Sequence, residues 1–292
     1  MASLKEIKGR IGSVNGTLKI TSAMKMVASA KLHKAQQAIT SMLPYERRLR
    51  HILTNFLSAG TNVVSPFVEQ REVKRVALVV FASNSSLCGG FNSNVIRHTN
   101  ELIEKYSKEV GPENILIYPV GRKIADAIKK RGLKPMGDYQ NLSGKPAYKE
   151  AADFAAGLME KFLNDEVQRV ELLYNHFKST STQVLTHETY LPIDLSAQSA
   201  GAEGKSEAMT DYIIEPSAPE VLTQLLPKVL RMQIFTAALD SSASEHAART
   251  MAMQIATDNA NDLLQELRLM YNKGRQQAIT NELLDIVGGT MA

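Results

Sequence analysis

A single cysteine, Cys88, excludes an internal disulfide, and a reducing compartment fits that usage. The six histidines (His33, His51, His98, His176, His187, His246) include no pair spaced i, i+3 or i, i+4, so no helical metal-ligand pair is present. None lies near Cys88 in sequence, which leaves that thiol reading as a small buried side chain. No aromatic residue precedes Tyr45. A nucleic-acid reading of the basic N-terminus therefore lacks a stacking platform. The first twenty residues contain no apolar core of the kind a secretory signal needs. The run Val76–Ile96 is free of charge and long enough to raise the question of a membrane span. Asn84, Ser85, Ser86, Asn92, Ser93 and Asn94 fall inside it and argue against one. Between Pro219 and Val287 there is one interior proline, Pro227, and no glycine before Gly274.

That last scarcity leaves room for a very long helix. Met253, Ala256, Ala260, Leu263, Leu267, Met270 and Gly274 step by threes and fours, the spacing of a coiled-coil seam. Small residues in a seam let helix axes approach closely and bury little apolar area per layer. At ~1.5 Å per residue the stretch would reach roughly 100 Å, more than a compact domain of this size, so it should protrude. A partner is available at the N-terminus, where Leu4, Ile7, Ile11, Val14 and Leu18 step in the same way. After Leu18 the stripe is expected to shift through Ile20, Met24 and Val27 and to resume at Leu49, Ile52, Leu53, Phe56 and Leu57. Only Pro44 interrupts residues 3–57, which are rich in the helix formers Ala and Lys. The two ends thus predict a long antiparallel coiled coil of the N- and C-terminal helices, with the middle as a head.

The middle has a different pattern. Ser58–Pro66 reads as a linker, and Arg75–Ala82 as a buried strand. Asn92 or Ser93 should cap the helix that follows, which carries Val95, Ile96, Leu102, Ile103 and Tyr106 on its inner face. Ile115–Val120 is a second strand. Helices are expected over Lys123–Arg131 and Pro146–Asn164, and paired strands over Val167–Phe177 and Thr182–Leu191. Residues 196–208 form a loop by composition, followed by a short strand at Tyr212–Ile214. Strands and helices in alternation, then strands in succession, indicate an α/β head domain: a Rossmann-like open sheet with flanking helices. The expected division is 1–58, N-terminal helix; 75–215, head; 216–292, C-terminal helix.

Charge is uneven. The net charge is +4, yet the first fifty residues alone carry a surplus of eight positive charges, so the rest carries a surplus of four negative ones. A solvated helix face accounts for much of this. The loop Ser83–Phe91 has the strand-to-helix position of a phosphate cradle, but it lacks the G-x-G-x-x-G spacing. A tight turn at Gly89 and Gly90 is its plainer reading. Gly201-Ala-Glu-Gly-Lys-Ser206 misses the P-loop because Ser199 stands where its first glycine belongs. No catalytic constellation, cofactor site or metal site is apparent.

Runs at three places in the chain carry a resemblance. SLKEIKGRIGSVNGTLKITSAMKMVASAKLHKAQ at the start resembles the opening of the gamma subunit of F-type ATP synthases. SLCGGFNSNVI in the middle is similar to the same family. So are SSASEHAARTMAMQIATDNANDLLQEL and YNKGRQQAITNELLDIVGG at the end. The three cover nearly the whole chain. The resemblance implies the rotor shaft of the synthase, one copy per complex, non-catalytic and without cofactor. Its partners would be three alpha and three beta subunits, the epsilon subunit and the c ring of the membrane sector, with no nucleic acid. The place would be peripheral, on the cytoplasmic face of a bacterial inner membrane, with Met1 the native start. By motif, Met24 and Lys25 (I-T-x-A-M-x-M), Arg249 (A-A-R) and Gln276, Thr280 and Glu282 (R-Q-x-x-I-T-x-E) are expected to face the beta subunits or brace the helices. The family's usual Asp-Arg-Gly before Leu-Cys-Gly is replaced by Asn84, Ser85 and Ser86. With one cysteine, the redox control of some photosynthetic relatives should be absent.

Two other classes are open on the residues alone. A nucleotide-binding enzyme built on the head would show saturable ATP binding. A coiled-coil scaffold or nucleic-acid protein would show salt-dependent binding through the basic N-terminus.

Overall fold

The computed structural model describes residues 3–58, 65–193 and 217–290. The expected strand at Tyr212–Ile214, the loop 196–208 and the P-loop-like run Gly201–Ser206 lie outside the described residues. The element order is α1 (Leu4–Ser58), β1 (Val76–Phe81), α2 (Phe91–Val110), a 3-10 turn (Pro112–Asn114), β2 (Ile115–Val120), α3 (Arg122–Lys130), α4 (Gln140–Gly144), α5 (Tyr148–Leu163), β3 (Arg169–Phe177), β4 (Gln183–Leu191) and α6 (Ala218–Thr290). Among the described residues, no helix is long and apolar enough to cross a membrane.

The chain divides into two units. One is the described part of Met1–Ser29 with Arg249–Ala292, the shaft unit; the other lies within Ala30–Ala248, the head unit.

The head is built on a mixed four-stranded sheet of order β2-β1-β3-β4. β1 pairs in parallel with β2 and β3, and β3 pairs antiparallel with β4. β1 is buried along its whole length, which is why it reads as a continuous apolar run rather than an alternating one. Its period of two shows in what each side chain meets. Val76, Leu78 and Val80 pack with Ile117 and Leu173 under α2 and α3. Ala77, Val79 and Phe81 face Phe154, Leu158 and Phe162 of α5, together with Leu49 and Leu53 of α1 and Leu226, Leu230 and Ile234 of α6. Helices therefore cover both faces of the sheet.

Two sequence expectations change in the head. The first turn of α2 is not capped by Asn92 or Ser93: the helix begins at Phe91 with Gly90 before it and no side-chain cap. Asn92 instead turns back to Ser83, accepting from its backbone amide (3.1 Å). The short helix α4 had no signal beyond the polar run Gln140-Asn-Leu-Ser-Gly144.

In the shaft unit one stripe is withdrawn from water. On α6 it is Met253, Ala260, Leu264 and Leu267, with Thr257, Tyr271, Gly274 and Ala278 half-buried between and beyond them. The expected seam was therefore right at Met253, Ala260, Leu267 and Gly274, half-buried at Ala256 beside Thr257, and displaced by one residue at Leu263 and Met270. Leu263 is 44% exposed and Leu264 4%; Met270 is exposed and Tyr271 half-buried. On α1 the stripe does not shift after Leu18. It continues through Thr21, Lys25 and Ala28, whereas Ile20 and Val27 are more than half exposed. At Thr21 and Tyr271 the stripe uses residues whose hydroxyls make them look like surface, while the more apolar Ile20 and Met270 stand beside them on the open face; Leu263 and Leu264 are the same residue type, so hydropathy does not separate them.

Candidate functional site

Two features could carry function: the shaft unit and the loop at the end of β1. The shaft's inner stripe is thin. A Cβ on Gly274 would meet Leu4 Cδ2 at 3.2 Å, so α1 and α6 touch there through the Leu4 side chain. Farther along, Thr257 Oγ1 donates to Thr21 Oγ1 (3.0 Å), and Thr21 Oγ1 donates to the Leu18 carbonyl (3.1 Å). Leu4 meets Gly274 and Thr21 meets Thr257, so the start of α1 lies by the far part of α6. Past Gly274 the helix opens to solvent, and Ile279, Leu283, Leu284, Ile286 and Val287 are all exposed. Ile20, Met26 and Val27 on α1 and Ile255, Leu269 and Met270 on α6 are exposed as well. Isolated exposed apolar residues are ordinary, but a concentration of them in one slim unit marks a surface meant to be covered.

The six residues singled out from sequence fall into two groups that the structure does not bring together. Met24 and Lys25 are half-buried on α1, and Arg249 is buried at the start of the shaft's α6 segment. Gln276, Thr280 and Glu282 are exposed on the run beyond the Leu4 contact. Thr280 Oγ1 donates to the Gln276 carbonyl one turn back (2.9 Å) and so serves its own helix.

The β1 loop uses up its own polar groups. Ser83 Oγ donates to the Ser85 carbonyl (2.6 Å), and Asn92 Nδ2 donates to Ser83 Oγ (2.8 Å) and reaches Cys88 Sγ at 3.1 Å. Cys88 is buried, as expected of a small structural thiol. Asn84 ties the loop to two other elements: its Nδ2 donates to the Gln140 carbonyl (2.8 Å), and its Oδ1 accepts from the Arg122 amide at the start of α3 (2.9 Å). Asn84 thus caps α3 from another segment. Ser143 Oγ donates to the Ala82 carbonyl (2.7 Å). Gly121 takes φ +117°, and a Cβ there would collide with that same carbonyl, which is why a glycine follows β2. The loop is a clamp between strand ends. No group of three or more metal-ligating side chains gathers among the described residues.

Sequence reasoning missed a buried carboxylate. Glu171 of β3 accepts from Tyr106 Oη (3.2 Å) and Thr189 Oγ1 (3.2 Å), and His187 Nε2 lies 3.1 Å away. Burial, then the charge of Glu171, push the Tyr106 phenol up to about 12. A lone Glu in a strand reads as a surface residue, so nothing in the sequence signalled it.

Comparison with known proteins is consistent from end to end. A family model described as ATP synthase matches residues 3–292. The ATP synthase gamma chain of Phocaeicola vulgatus is 68% identical over 292 residues, covering all of both chains. A solved chain of the Euglena gracilis mitochondrial ATP synthase (OSCP/F1/c-ring, rotational state 3) superposes with a TM-score of 0.67 at 20% identity, over 99% of this chain and 93% of that one. A chain from the central stalk/c-ring of the Tetrahymena thermophila mitochondrial ATP synthase gives a TM-score of 0.57 at 24% identity, over 81% and 99%. At such identities the structural likeness concerns the fold.

Proposed function

The chain belongs to the ATP synthase gamma-chain family, and we propose that it is the central-stalk rotor of a bacterial F-type ATP synthase. The observation that carries this reading is identity of 68% to a named gamma chain along the entire length of both proteins. In this reading 1–58 and 216–292 act as the helices of an antiparallel coiled coil, and 75–215 acts as the head. The 3-4 stripes and the Leu4–Gly274 and Thr21–Thr257 contacts support that pairing. One copy stands within a ring of three alpha and three beta subunits, and the head rests with the epsilon subunit on the c ring. The subunit is non-catalytic, carries no cofactor and binds no nucleic acid. It is peripheral, at the cytoplasmic face of the inner membrane.

The physical demands on a rotor favour such a chain. Rotation in a bearing requires a surface that binds tightly at no single angle. The exposed apolar residues Leu283, Leu284, Ile286 and Val287, in the last turns of α6, suit a sleeve of low friction. One charge crossing 100 mV yields ~2.3 kcal/mol. Several per step exceed the ~0–1 kcal/mol of a surface ion pair. Torque is then carried by distributed packing rather than one salt bridge. Met24, Lys25, Arg249, Gln276, Thr280 and Glu282 contact the beta subunits or brace the helices, each contributing a share. Lys25→Gln or Glu282→Gln should therefore leave ATP-driven proton pumping coupled in assembled enzyme; uncoupling by either one with normal assembly would refute distributed torque.

The test of the role itself is co-expression with the alpha and beta subunits and native mass spectrometry of the product. One copy per six-membered ring, with ATP hydrolysis lost when the chain is omitted, is the expected result. A chain that stays alone or pairs with itself would overturn the rotor reading.

A further inference from the structure

A cavity of about 390 Å³ opens between α4, α5 and the edge strand β2. Three rings form its wall: Tyr139 and Phe154 lie 4.2 Å apart by centroid, and Tyr118 lies 6.1 Å from Phe154. Tyr118 lines the cavity and is only 4% exposed, and its hydroxyl, buried behind the lining, has no hydrogen-bond partner among the described residues. Such a buried orphan is uncommon and costs free energy unless a water or ligand completes it. Burial raises the Tyr118 and Tyr139 phenols while Lys161 opposes the rise, so both keep their protons at neutral pH. A second irregularity faces the same space. Gly157 interrupts α5, where glycine weakens a helix, yet a Cβ there would meet nothing within 4 Å. The glycine is not required by packing, and it lies on the cavity lining.

Charge indicates the occupant. Asp138, Glu150 and Asp153 stand around the cavity, with Lys161 the one base. The Lys161 ammonium is held by Glu166 at 2.7 Å, so that pair is neutral and three carboxylates set the local potential. We propose that this cavity binds a small organic cation, an alkylammonium or guanidinium carrying a short apolar or aromatic body. The body lies on Tyr139 and Phe154, the cation is drawn to ring faces and rim carboxylates, and an N–H donates to Tyr118 Oη. The volume is within the usual range for small-ligand sites.

The test is calorimetric titration of the full-length chain with phenethylamine, and with phenylacetate as the matched anion. Saturable binding of the amine and none of the acid is expected. Tyr118→Phe removes only an unpaired hydroxyl, so the chain folds, and it should weaken amine binding about 3- to 10-fold, the worth of one hydrogen bond. Gly157→Leu adds bulk to the lining with a better helix former and should abolish binding, with folding checked by circular dichroism. No saturable binding of the amine, equal binding of the acid, or binding unchanged in both variants would each overturn the proposal. Binding to the free chain that disappears in the assembled synthase would overturn it too, by assigning the cavity to a basic side chain of a partner subunit.

Discussion

The head and the shaft are made from stretches of the same two long helices, yet they hold together in different ways. In the head, α1 and α6 are two walls of a thick apolar core that also includes the sheet and α5. In the shaft, the same helices bury one stripe of small or medium residues, and none of those residues joins a core cluster. A helix whose apolar side chains are this exposed draws little stability from its own unit. The contrast teaches that one unit is finished as a folded body and the other is completed by what surrounds it, as a rotor inside a bearing would be.

The most direct way to break this comparison is to cut the same kind of hole in each unit. Phe162 is fully buried in the head, with the Arg71 guanidinium 5.2 Å above its ring. Phe162→Ala should cost about 3–5 kcal/mol in urea unfolding of the isolated chain. Leu267→Ala, in the shaft stripe, should cost about 2 kcal/mol, the low end for a buried leucine, because open surroundings can close over the gap. Equal losses would mean that the shaft stripe is as tightly packed as the head.

A smaller effect tests the attachment of α6 within the head. His176 Nδ1 lies 2.6 Å from Asp240 Oδ2, joining the end of β3 to the helix. Asp240 is raised above the ordinary carboxylate range, first by burial and further by Glu46, against the pull of His176 and of the Phe177 amide. A carboxylate with a raised folded-state pKa stabilises most when protonated, below its unfolded pKa, and that contribution is lost as pH rises through the folded value. Removing His176 should lift Asp240 still higher. His176→Ala is therefore expected to destabilise by about 1.5 kcal/mol at neutral pH, the scale of a hydrogen bond to a charged group. The loss should vanish in acid, where Asp240 is neutral. A deficit that is the same at both pH values would show that the histidine acts by packing alone.

How far these features could be read beforehand depends on what each residue type announces. The strand Ile115–Val120 was legible to the residue, because an apolar run closed by Gly121 has few other readings. The seam was legible only in part. Met253, Ala260, Leu267 and Gly274 stood out, but Thr257, half-buried beside Ala256, was not picked, and Tyr271 was passed over for the more apolar Met270. Periodicity scored by hydropathy cannot see that a threonine pair, Thr21 with Thr257, closes a layer by hydrogen bonding. Glu171 and the cavity beside Tyr118 were invisible for a related reason: both arise from residues far apart in sequence. The resemblance motifs pointed to Met24, Lys25, Arg249, Gln276, Thr280 and Glu282, but how each bears on a partner depends on surfaces that this chain does not contain.

Asn84 sharpens the comparison from the side of the head. It binds two backbone groups at once, accepting from Arg122 and donating to Gln140. Asn84→Ala should cost about 1 kcal/mol, the worth of a helix cap. Asn84→Asp keeps the acceptor for Arg122 and loses the donor to Gln140, so it should recover part of that loss. Thermal melts of the three chains would order them Asn, Asp, Ala. An aspartate as unstable as alanine would mean that the Gln140 bond, not the cap on α3, is what matters.

The smallest effect sets the two units side by side on one chemistry, a glycine inside a helix. Glycine costs about 1 kcal/mol relative to alanine in a helix interior. At Gly157, in the head, an added Cβ meets nothing within 4 Å, so Gly157→Ala should return the full amount. At Gly274, in the shaft, the Cβ would meet Leu4 Cδ2 at 3.2 Å and Cγ at 3.9 Å. Leu4 is the first residue of α1 and only half-buried, so its side chain can move aside by a few tenths of an ångström. Gly274→Ala should then still stabilise, by about 0.5 kcal/mol, as the propensity gain is reduced by the contact. Chemical unfolding of both variants in the isolated chain measures the difference. If Gly274→Ala destabilises instead, Leu4 is held in place, and the shaft is stiff at the point where its stripe looks loosest.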